Sequence, residues 1–200
     1  MRHVILIGIT FSEWRRPRQM HIRYENILIR NATPDDAALL ANWWNDGKVM
    51  AHAGFPNGVG TTEEAVRRGL EKQCEPQSCI QIILFENKPI GEMNYACVGD
   101  RTYEIGIKIC DASYQNRGLG KKILSVWIEK LFDELGAEKV VLDTNLKNTR
   151  AQHVYEELGF RKTSVAYDSG KDQLGELQSF VNYELTREQL VCFHEQSRHD

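Results

Sequence analysis

The sequence has no two cysteines at the CxxC spacing typical of structural zinc sites, and its cysteine count is odd. A disulfide framework or a structural zinc site is therefore not expected, and we interpret the cysteines as reduced, mostly buried thiols of a cytoplasmic protein. They are Cys74, Cys79, Cys97, Cys110 and Cys192. His, Asp and Glu show no ligand spacing either, so we expect no metal.

The chain also lacks long apolar runs and a large excess of charge of one sign. No segment approaches the roughly 20 consecutive apolar residues of a membrane-spanning helix, so we expect no membrane association. Lys and Arg number 25 against 28 Asp and Glu, which gives a net charge of −3. Such a balance gives no general attraction to nucleic acid, and we expect no nucleic-acid partner.

What is present is sufficient for one folded domain. The 200 residues are 42% hydrophobic, enough for one sizeable core. We predict an N-terminal extension over residues 1–22, a domain over residues 23–187 and a polar C-terminal tail over residues 188–200. The apolar run in the extension is too short and wrongly flanked for a signal peptide.

Hydrophobic periodicity predicts an ordered series of strands and helices. A short strand, NILIR, precedes a helix start at Thr33-Pro34-Asp35-Asp36, and a second capped helix starts at Thr62. CIQIILFE, IGEMNYACV and TYEIGIKIC then indicate three strands joined by tight turns, which form an antiparallel meander. A long amphipathic helix, a strand KVVLDT, a short helix capped by Asn148 and two strands around the polar loop DSGKDQLGE complete the order.

The stretch YQNRGLGKK, Tyr114 to Lys122, joins the third meander strand to the long helix. A Walker loop is excluded by register, because Gln115 stands at its first glycine position and Lys122 at its Ser or Thr position. A dinucleotide fingerprint lacks its third glycine. What remains is a helix start whose free backbone N–H groups can hold a phosphate, with Gly118 and Gly120 allowing close approach. A tight turn with close helix packing is the alternative role for these glycines.

Two motifs make the chain resemble the GNAT family of N-acetyltransferases. That family binds acetyl-CoA through a Gln/Arg-x-x-Gly-x-Gly/Ala loop, which the run from Gln115 to Gly120 matches. Its second signature is an Asn that opens the next helix, followed by a Tyr and a terminal Gly-Phe, and NTRAQHVYEELGF from Asn148 to Phe160 matches it. The resemblance implies an α/β fold of the α+β type, with about seven strands in a mixed, mostly antiparallel sheet flanked by helices. It also implies acetyl transfer from acetyl-CoA to a primary amine, by direct attack in a ternary complex.

Amide formation needs a base for the acceptor and an acid for the departing thiolate. A primary ammonium has a pKa near 10, so a base must take its proton, and Glu104 is the first candidate and Glu92 the second. Either carboxylate could instead orient a cationic substrate. Tyr155 resembles the family tyrosine that returns a proton to the thiolate, and a core tyrosine is the alternative.

For acetyl-CoA, the resemblance implies contacts from one strand, the glycine loop and the following helix cap. The backbone of Lys108, Ile109 and Cys110 is expected to pair with the pantetheine arm and to supply an oxyanion N–H. The other predicted contacts are Gln115, Asn116, Arg117, Gly118, Leu119, Gly120, Lys121 and Asn148. No motif supports an acyl-enzyme on Cys110.

The acceptor is the least determined part of the prediction. Trp43, His52 and Glu92 are candidates for its pocket, and surface or packing roles suit them equally. We predict a small-molecule amine or a protein N-terminus as acceptor, loosely as in the branch that acetylates ribosomal-protein N-termini and related small amines. A homodimer is compatible with the sequence. The alternative functions are a catalytically inactive acyl-CoA-binding regulatory module of the same fold and a nucleotide-phosphate-binding domain of another fold.

Overall fold

The structure is a computed structural model that describes residues 20–73 and 77–193. The predicted N-terminal extension up to residue 19, Cys74 and the end of the predicted tail lie outside these residues. The strands are β1 His21–Tyr24, β2 Ile27–Asn31, β3 Ser78–Phe85, β4 Lys88–Gly99, β5 Thr102–Ile109, β6 Lys139–Asn145, β7 Arg161–Lys171 and β8 Leu177–Leu185. The helices are α1 Ala37–Asn45, α2 Gly47–Met50, α3 Glu63–Leu70, α4 Leu119–Glu134 and α5 Thr149–Glu157.

One sheet contains all eight strands, in the order β1-β2-β3-β4-β5-β6-β8-β7. Every neighbouring pair is antiparallel except β5 and β6, which are parallel because α4 crosses over between them. The predicted mixed, mostly antiparallel sheet flanked by helices is therefore confirmed. The eighth strand is β1, which begins at His21, so the folded domain starts within the residues predicted as an extension.

The parallel pairing of β5 and β6 is short. It joins Thr102–Glu104 to Lys139–Val141 and does not continue to the ends of the strands. Beyond Glu104 and Val141 the two strands diverge and leave a notch that opens toward the C-terminal end of β5. We call this opening the β5–β6 notch.

Two apolar cores lie on opposite faces of the sheet. The larger core packs α4 and α5 against the sheet and includes the fully buried Trp127 and Leu131. The smaller core packs α1 and α3 on the other face, where Leu40, Val66 and the strand residue Ile82 belong to one buried cluster. The sheet is thus covered by helices on both faces, as the strand and helix pattern predicted.

Local capping fixes the predicted helix starts. The side chain of Thr62 accepts a hydrogen bond from the Ala65 N–H at 3.2 Å. Asn148 caps α5 by accepting from the Ala151 N–H at 3.3 Å. These oxygens satisfy N–H groups that have no partner inside the helix.

The first residues of the predicted C-terminal tail pack onto the domain. A 3-10 helix spans Arg187–Gln189. After it, the Val191 N–H donates to the Leu158 carbonyl at 3.0 Å and the Phe193 N–H donates to Ser125 Oγ at 3.3 Å. The chain from 20 to 73 and from 77 to 193 contains no helix with the length and apolar character needed to cross a membrane.

Candidate active site

A cleft of about 1310 Å³ runs along β5 and brings together most of the predicted site residues. Its walls come from β4, β5, the loop before α4, the start of α5 and the segment around α2. A smaller cavity of about 240 Å³ adjoins it and shares Glu104 and Asp143 with it. The cleft is large enough for an extended ligand and a second, smaller molecule.

The glycine loop has the geometry of an anion site. Gly118 is the N-cap of α4 and has φ of +72°, a left-handed conformation that glycine adopts without steric cost. A Cβ added at Gly118 or Gly120 would meet no protein atom within 4 Å, so the space in front of both glycines is open to a ligand. The first N–H groups of α4 have no partner within the helix and can hold a pyrophosphate.

Positive side chains surround this loop. Arg117 lies over the Tyr114 ring at 5.2 Å, and Lys121 Nζ forms an ion pair with Glu157 at 3.0 Å. Arg150 Nη1 donates to Asn116 Oδ1 at 3.1 Å. Arg150 was not predicted from the sequence, although it lies two residues after Asn148 in the second motif and is exposed on the cleft.

The C-terminal end of β5 offers backbone groups to the cleft, but not all of those predicted. Within the predicted segment Lys108 to Cys110, the Cys110 N–H is already paired, because it donates to the Ile90 carbonyl at 2.8 Å. Backbone N–H and carbonyl groups point to alternate sides along a strand. Those of Ile107 and Ile109 therefore point away from β4 and toward the notch. Gln115 Nε2 already donates to the Ile109 carbonyl at 2.8 Å. The N–H groups of Ile107 and Ile109 and the carbonyl of Ile107 are the best placed for a ligand.

The Cys110 thiol is unsuited to nucleophilic catalysis. Burial, with the nearby Glu92 carboxylate as a further cause, raises the pKa of Cys110 to about 12. A thiol with this pKa is almost fully protonated at neutral pH, and only the thiolate is a good nucleophile.

Tyr155 lies at the inner side of the cleft. It is 9% exposed, and its ring packs edge to face against Phe160 and Tyr183 at centroid distances of 5.8 and 5.9 Å. Burial first, and then the negative charge of Asp143, raises the pKa of Tyr155 to about 12. The hydroxyl is therefore protonated at neutral pH and can donate a proton. It makes no hydrogen bond to another residue in the described part of the chain.

Two carboxylates face the cleft beside the β5–β6 notch. Glu104 is the last residue of β5 that pairs with β6, and Asp143 lies two residues beyond its partner Val141. Because side chains alternate, Glu104 and Asp143 lie on the same face of the sheet. Asp143 forms no ion pair with any residue of 20–73 or 77–193, and desolvation raises its pKa. Asp143 was not predicted as a site residue because KVVLDT was interpreted only as a buried strand.

Glu92 differs from its predicted role as a second base. It is 4% exposed, does not line the cleft, and accepts hydrogen bonds from Trp44 Nε1 at 2.9 Å and Lys108 Nζ at 3.0 Å. A buried carboxylate that already binds an indole and an ammonium is not placed to receive an acceptor amine. Glu92 therefore links α1 to β5 through Trp44 and Lys108 beneath the cleft.

The remaining candidates divide between the cleft and the core. His52 lines the cleft, whereas Trp43 packs against the smaller apolar core and does not line it. Asn148 lines the cleft as well as capping α5. Within the described residues no group of three His, Cys, Asp or Glu side chains could hold a metal ion.

Comparison with known proteins was made by family, sequence and structure. A family model described as an acetyltransferase (GNAT) domain matches residues 26–161. The aminoglycoside N(6')-acetyltransferase type 1 of Klebsiella pneumoniae is 23% identical over 176 residues, which cover 82% of this chain and 88% of the relative.

Two solved structures share the fold. The spermidine N-acetyltransferase of Vibrio cholerae, solved with CoA and spermine, aligns with a TM-score of 0.74 at 18% identity and covers 82% of this chain and 97% of its own. The ribosomal-protein-S5-alanine acetyltransferase of Vibrio fischeri aligns with a TM-score of 0.70 at 17% identity. The alignment covers 86% of this chain and 99% of that protein's chain. Identities this low show the fold alone, but the family model spans most of the domain and includes both motifs of the cleft. The chain therefore belongs to the GNAT family of acetyltransferases.

Proposed function

We propose that this N-acetyltransferase transfers an acetyl group from acetyl-CoA to a primary amine of a small cationic molecule by direct attack. The observation that supports this is the shared cleft, in which the glycine loop, Tyr155 and two carboxylates line one continuous space. An anion site at one end and negative side chains at the other suit a phosphate-bearing donor and a cationic acceptor.

The chain would hold the donor mainly through backbone groups. The N–H groups around Gly118 bind the pyrophosphate, with Arg117 and Arg150 adding positive charge at the rim. Asn148 contacts the arm of the donor at the start of α5. The Ile107 and Ile109 backbone lies along the pantetheine and offers N–H groups where negative charge develops on the acetyl oxygen.

The acceptor must lose a proton before it can attack. A primary ammonium has a pKa near 10, so most of it is protonated at neutral pH. We propose that Glu104 takes this proton and that Asp143 holds and orients the amine. Both carboxylates attract a cation to the notch, and the charge of Asp143 also acts on the Tyr155 hydroxyl.

Tyr155 would complete the reaction as the acid. The amine nitrogen forms a bond to the acetyl carbon, the carbon–sulfur bond breaks, and its electron pair stays on sulfur. After the nitrogen has bonded to the acetyl carbon it loses its second proton to solvent, while Tyr155 gives its proton to this thiolate and regains one from solvent, so that one proton is released for each amide formed. The protonated, buried hydroxyl of Tyr155 suits this role, and the protonated Cys110 thiol supports direct transfer without an acyl-enzyme.

The acceptor class rests on charge and on the relatives. Glu104 and Asp143 favour a cationic amine, and two of the similar proteins carry names that refer to aminoglycosides and spermidine. A protein N-terminus would also present a primary amine, and a third similar protein carries a name that refers to an alanine of a ribosomal protein. A cytoplasmic location and a homodimer stay predictions from the sequence.

The test is release of free CoA thiol from acetyl-CoA in the presence of an aminoglycoside, spermidine, or a short peptide with a free N-terminus. We expect amine-dependent release with at least one small amine, and loss of about two orders of magnitude in kcat for Tyr155→Phe. Tyr167→Phe is the control, because Tyr167 is 73% exposed and lies outside the cleft. Tight binding of acetyl-CoA without thiol release for any amine would instead indicate the inactive regulatory module.

A further inference from the structure

The polar loop between β7 and β8 contacts a segment that lies more than 100 residues earlier. The Gln173 backbone N–H donates to the Gly54 carbonyl at 2.8 Å. Its side-chain amide uses both ends: Oε1 accepts from the Asn57 N–H at 2.9 Å and Nε2 donates to the Gly58 carbonyl at 2.9 Å. We call this set of three hydrogen bonds the Gln173 clasp.

The loop that carries Gln173 is itself held in place. One carboxylate oxygen of Asp172 accepts from two backbone N–H groups of the loop, and the other accepts from Gln178 Nε2 at 2.9 Å. Gln178 is 8% exposed and accepts from Asn145 Nδ2 at 2.8 Å. Asn145 lies two residues after Asp143 on β6. The loop that carries the clasp is therefore linked through buried side chains to β6. This strand also carries one of the proposed acceptor-binding residues.

The segment on the other side of the clasp forms one wall of the cleft. We call residues 47–60 the acceptor wall. Lys48, Val49, His52 and Ala53 in this wall line the cleft, and the 3-10 helix Ala51–Ala53 packs near β6. The acceptor wall thus crosses from α1 toward β6 and the β7–β8 loop, over the face of the sheet that carries Glu104 and Asp143.

The other end of the acceptor wall is fixed to α1. The Val59 N–H donates to the Trp44 carbonyl at 2.7 Å, and the Asn45 side chain makes two hydrogen bonds of 2.9 Å with the Thr61 backbone. Gly58 has φ of +77°, and a Cβ there would lie 2.2 Å from the Asn45 carbonyl oxygen. The wall is therefore tied at two places, by α1 and by the Gln173 clasp.

We propose that Gln173 is a positioning residue for the acceptor: it sets the distance between the acceptor wall and the carboxylates of the sheet. This inference rests on the proposed function. Gln173 does not line the cleft, so it acts through the wall and not by contact with substrate. The donor site lies at the glycine loop, outside the acceptor wall, so releasing the clasp affects the acceptor and leaves the donor site intact.

The experiment compares Gln173→Ala and Gln173→Glu with the wild type in steady-state assays, using the small amine that the wild type acetylates best. Glu keeps the size of the side chain but places a second oxygen against the Gly58 carbonyl. We expect both variants to raise the KM for the amine about tenfold, while the KM for acetyl-CoA stays within about twofold. Leu174→Ala is the control, because Leu174 is 61% exposed in the same loop, and we expect no change.

A second measurement tests the clasp independently of the proposed reaction. Hydrogen exchange of the Asn57 amide, without any substrate, should be faster in Gln173→Ala than in the wild type and unchanged in Leu174→Ala. If the wild type acetylates no amine, the proposed reaction is wrong and this exchange still tests the clasp. Unchanged exchange of Asn57, an unchanged KM for the amine, or an equal rise of both KM values with a lower melting temperature would each overturn the positioning role.

Discussion

Glu104 and Asp143 present two carboxylates to one site, but their surroundings differ at the scale of single residues. Asp143 lies beyond the part of β6 that pairs with β5, desolvation raises its pKa, and its charge acts on Tyr155. Glu104 lies at the last position of β5 that pairs with β6. This difference leads us to assign them different tasks, with Glu104 as the base and Asp143 as the group that holds the ammonium.

The two tasks predict different kinetic effects. Glu104→Gln should lower kcat by about two to three orders of magnitude, because the amine loses its proton acceptor. Asp143→Asn should raise the KM for the amine about tenfold and change kcat by less than about threefold, because it removes charge that acts on binding. Steady-state assays with varied amine measure both, and the exposed Glu71→Gln provides a matched control. Normal turnover in Glu104→Gln would remove its role as base.

At the scale of secondary-structure elements, the junction between β5 and α4 carries the donor site. Near the end of β5 the Ile107 and Ile109 N–H groups face away from β4, and the helix begins with a left-handed glycine and N–H groups that have no partner within the helix. Gly118 and Gly120 have different reasons to be glycine. Gly118 needs its backbone conformation, whereas Gly120 lies inside the first turn of α4, and the space in front of it is open.

Substitution by alanine should separate these two reasons. Gly118→Ala should destabilise the fold by about 1 to 2 kcal/mol, because a Cβ is unfavourable in a left-handed conformation. Gly120→Ala should stabilise α4 by up to about 1 kcal/mol, since alanine is the better helix residue. Its methyl group would nevertheless stand where the pyrophosphate approaches, so we expect weaker acetyl-CoA binding.

Denaturant unfolding and calorimetric titration with acetyl-CoA measure the two quantities. The expected combination for Gly120→Ala is equal or higher stability with lower affinity. Equal affinity in Gly120→Ala would show that the space in front of the glycine loop is not the phosphate site.

At the scale of the whole molecule, features set by adjacent residues were predictable from the sequence. The helix caps at Thr62 and Asn148 and the glycine loop each depend on a few neighbouring positions. The order of strands and helices followed from the periodicity of apolar residues. The resemblance to a known family rested on the same local motifs.

Features that depend on strand register were not predictable. Glu92 was predicted as the second candidate for the base because its pairing with Lys108 across β4 and β5 is not visible along the chain. Asp143 was missed because the divergence of β5 from β6 is a property of the sheet. The Gln173 clasp joins residues more than 100 positions apart, and no local pattern indicates such a contact.

In the proposed function, the acetyl group passes directly from acetyl-CoA to an amine within the cleft. A single-turnover reaction, with enzyme in excess over acetyl-CoA and with a small cationic amine present, followed by mass spectrometry of amine and protein, tests it most directly. We predict one acetylated amine for each free CoA, with no acetyl group on the protein at any time. Acetyl-CoA that stays intact, or an acetyl group that appears first on Cys110 and then on the amine, would contradict the account.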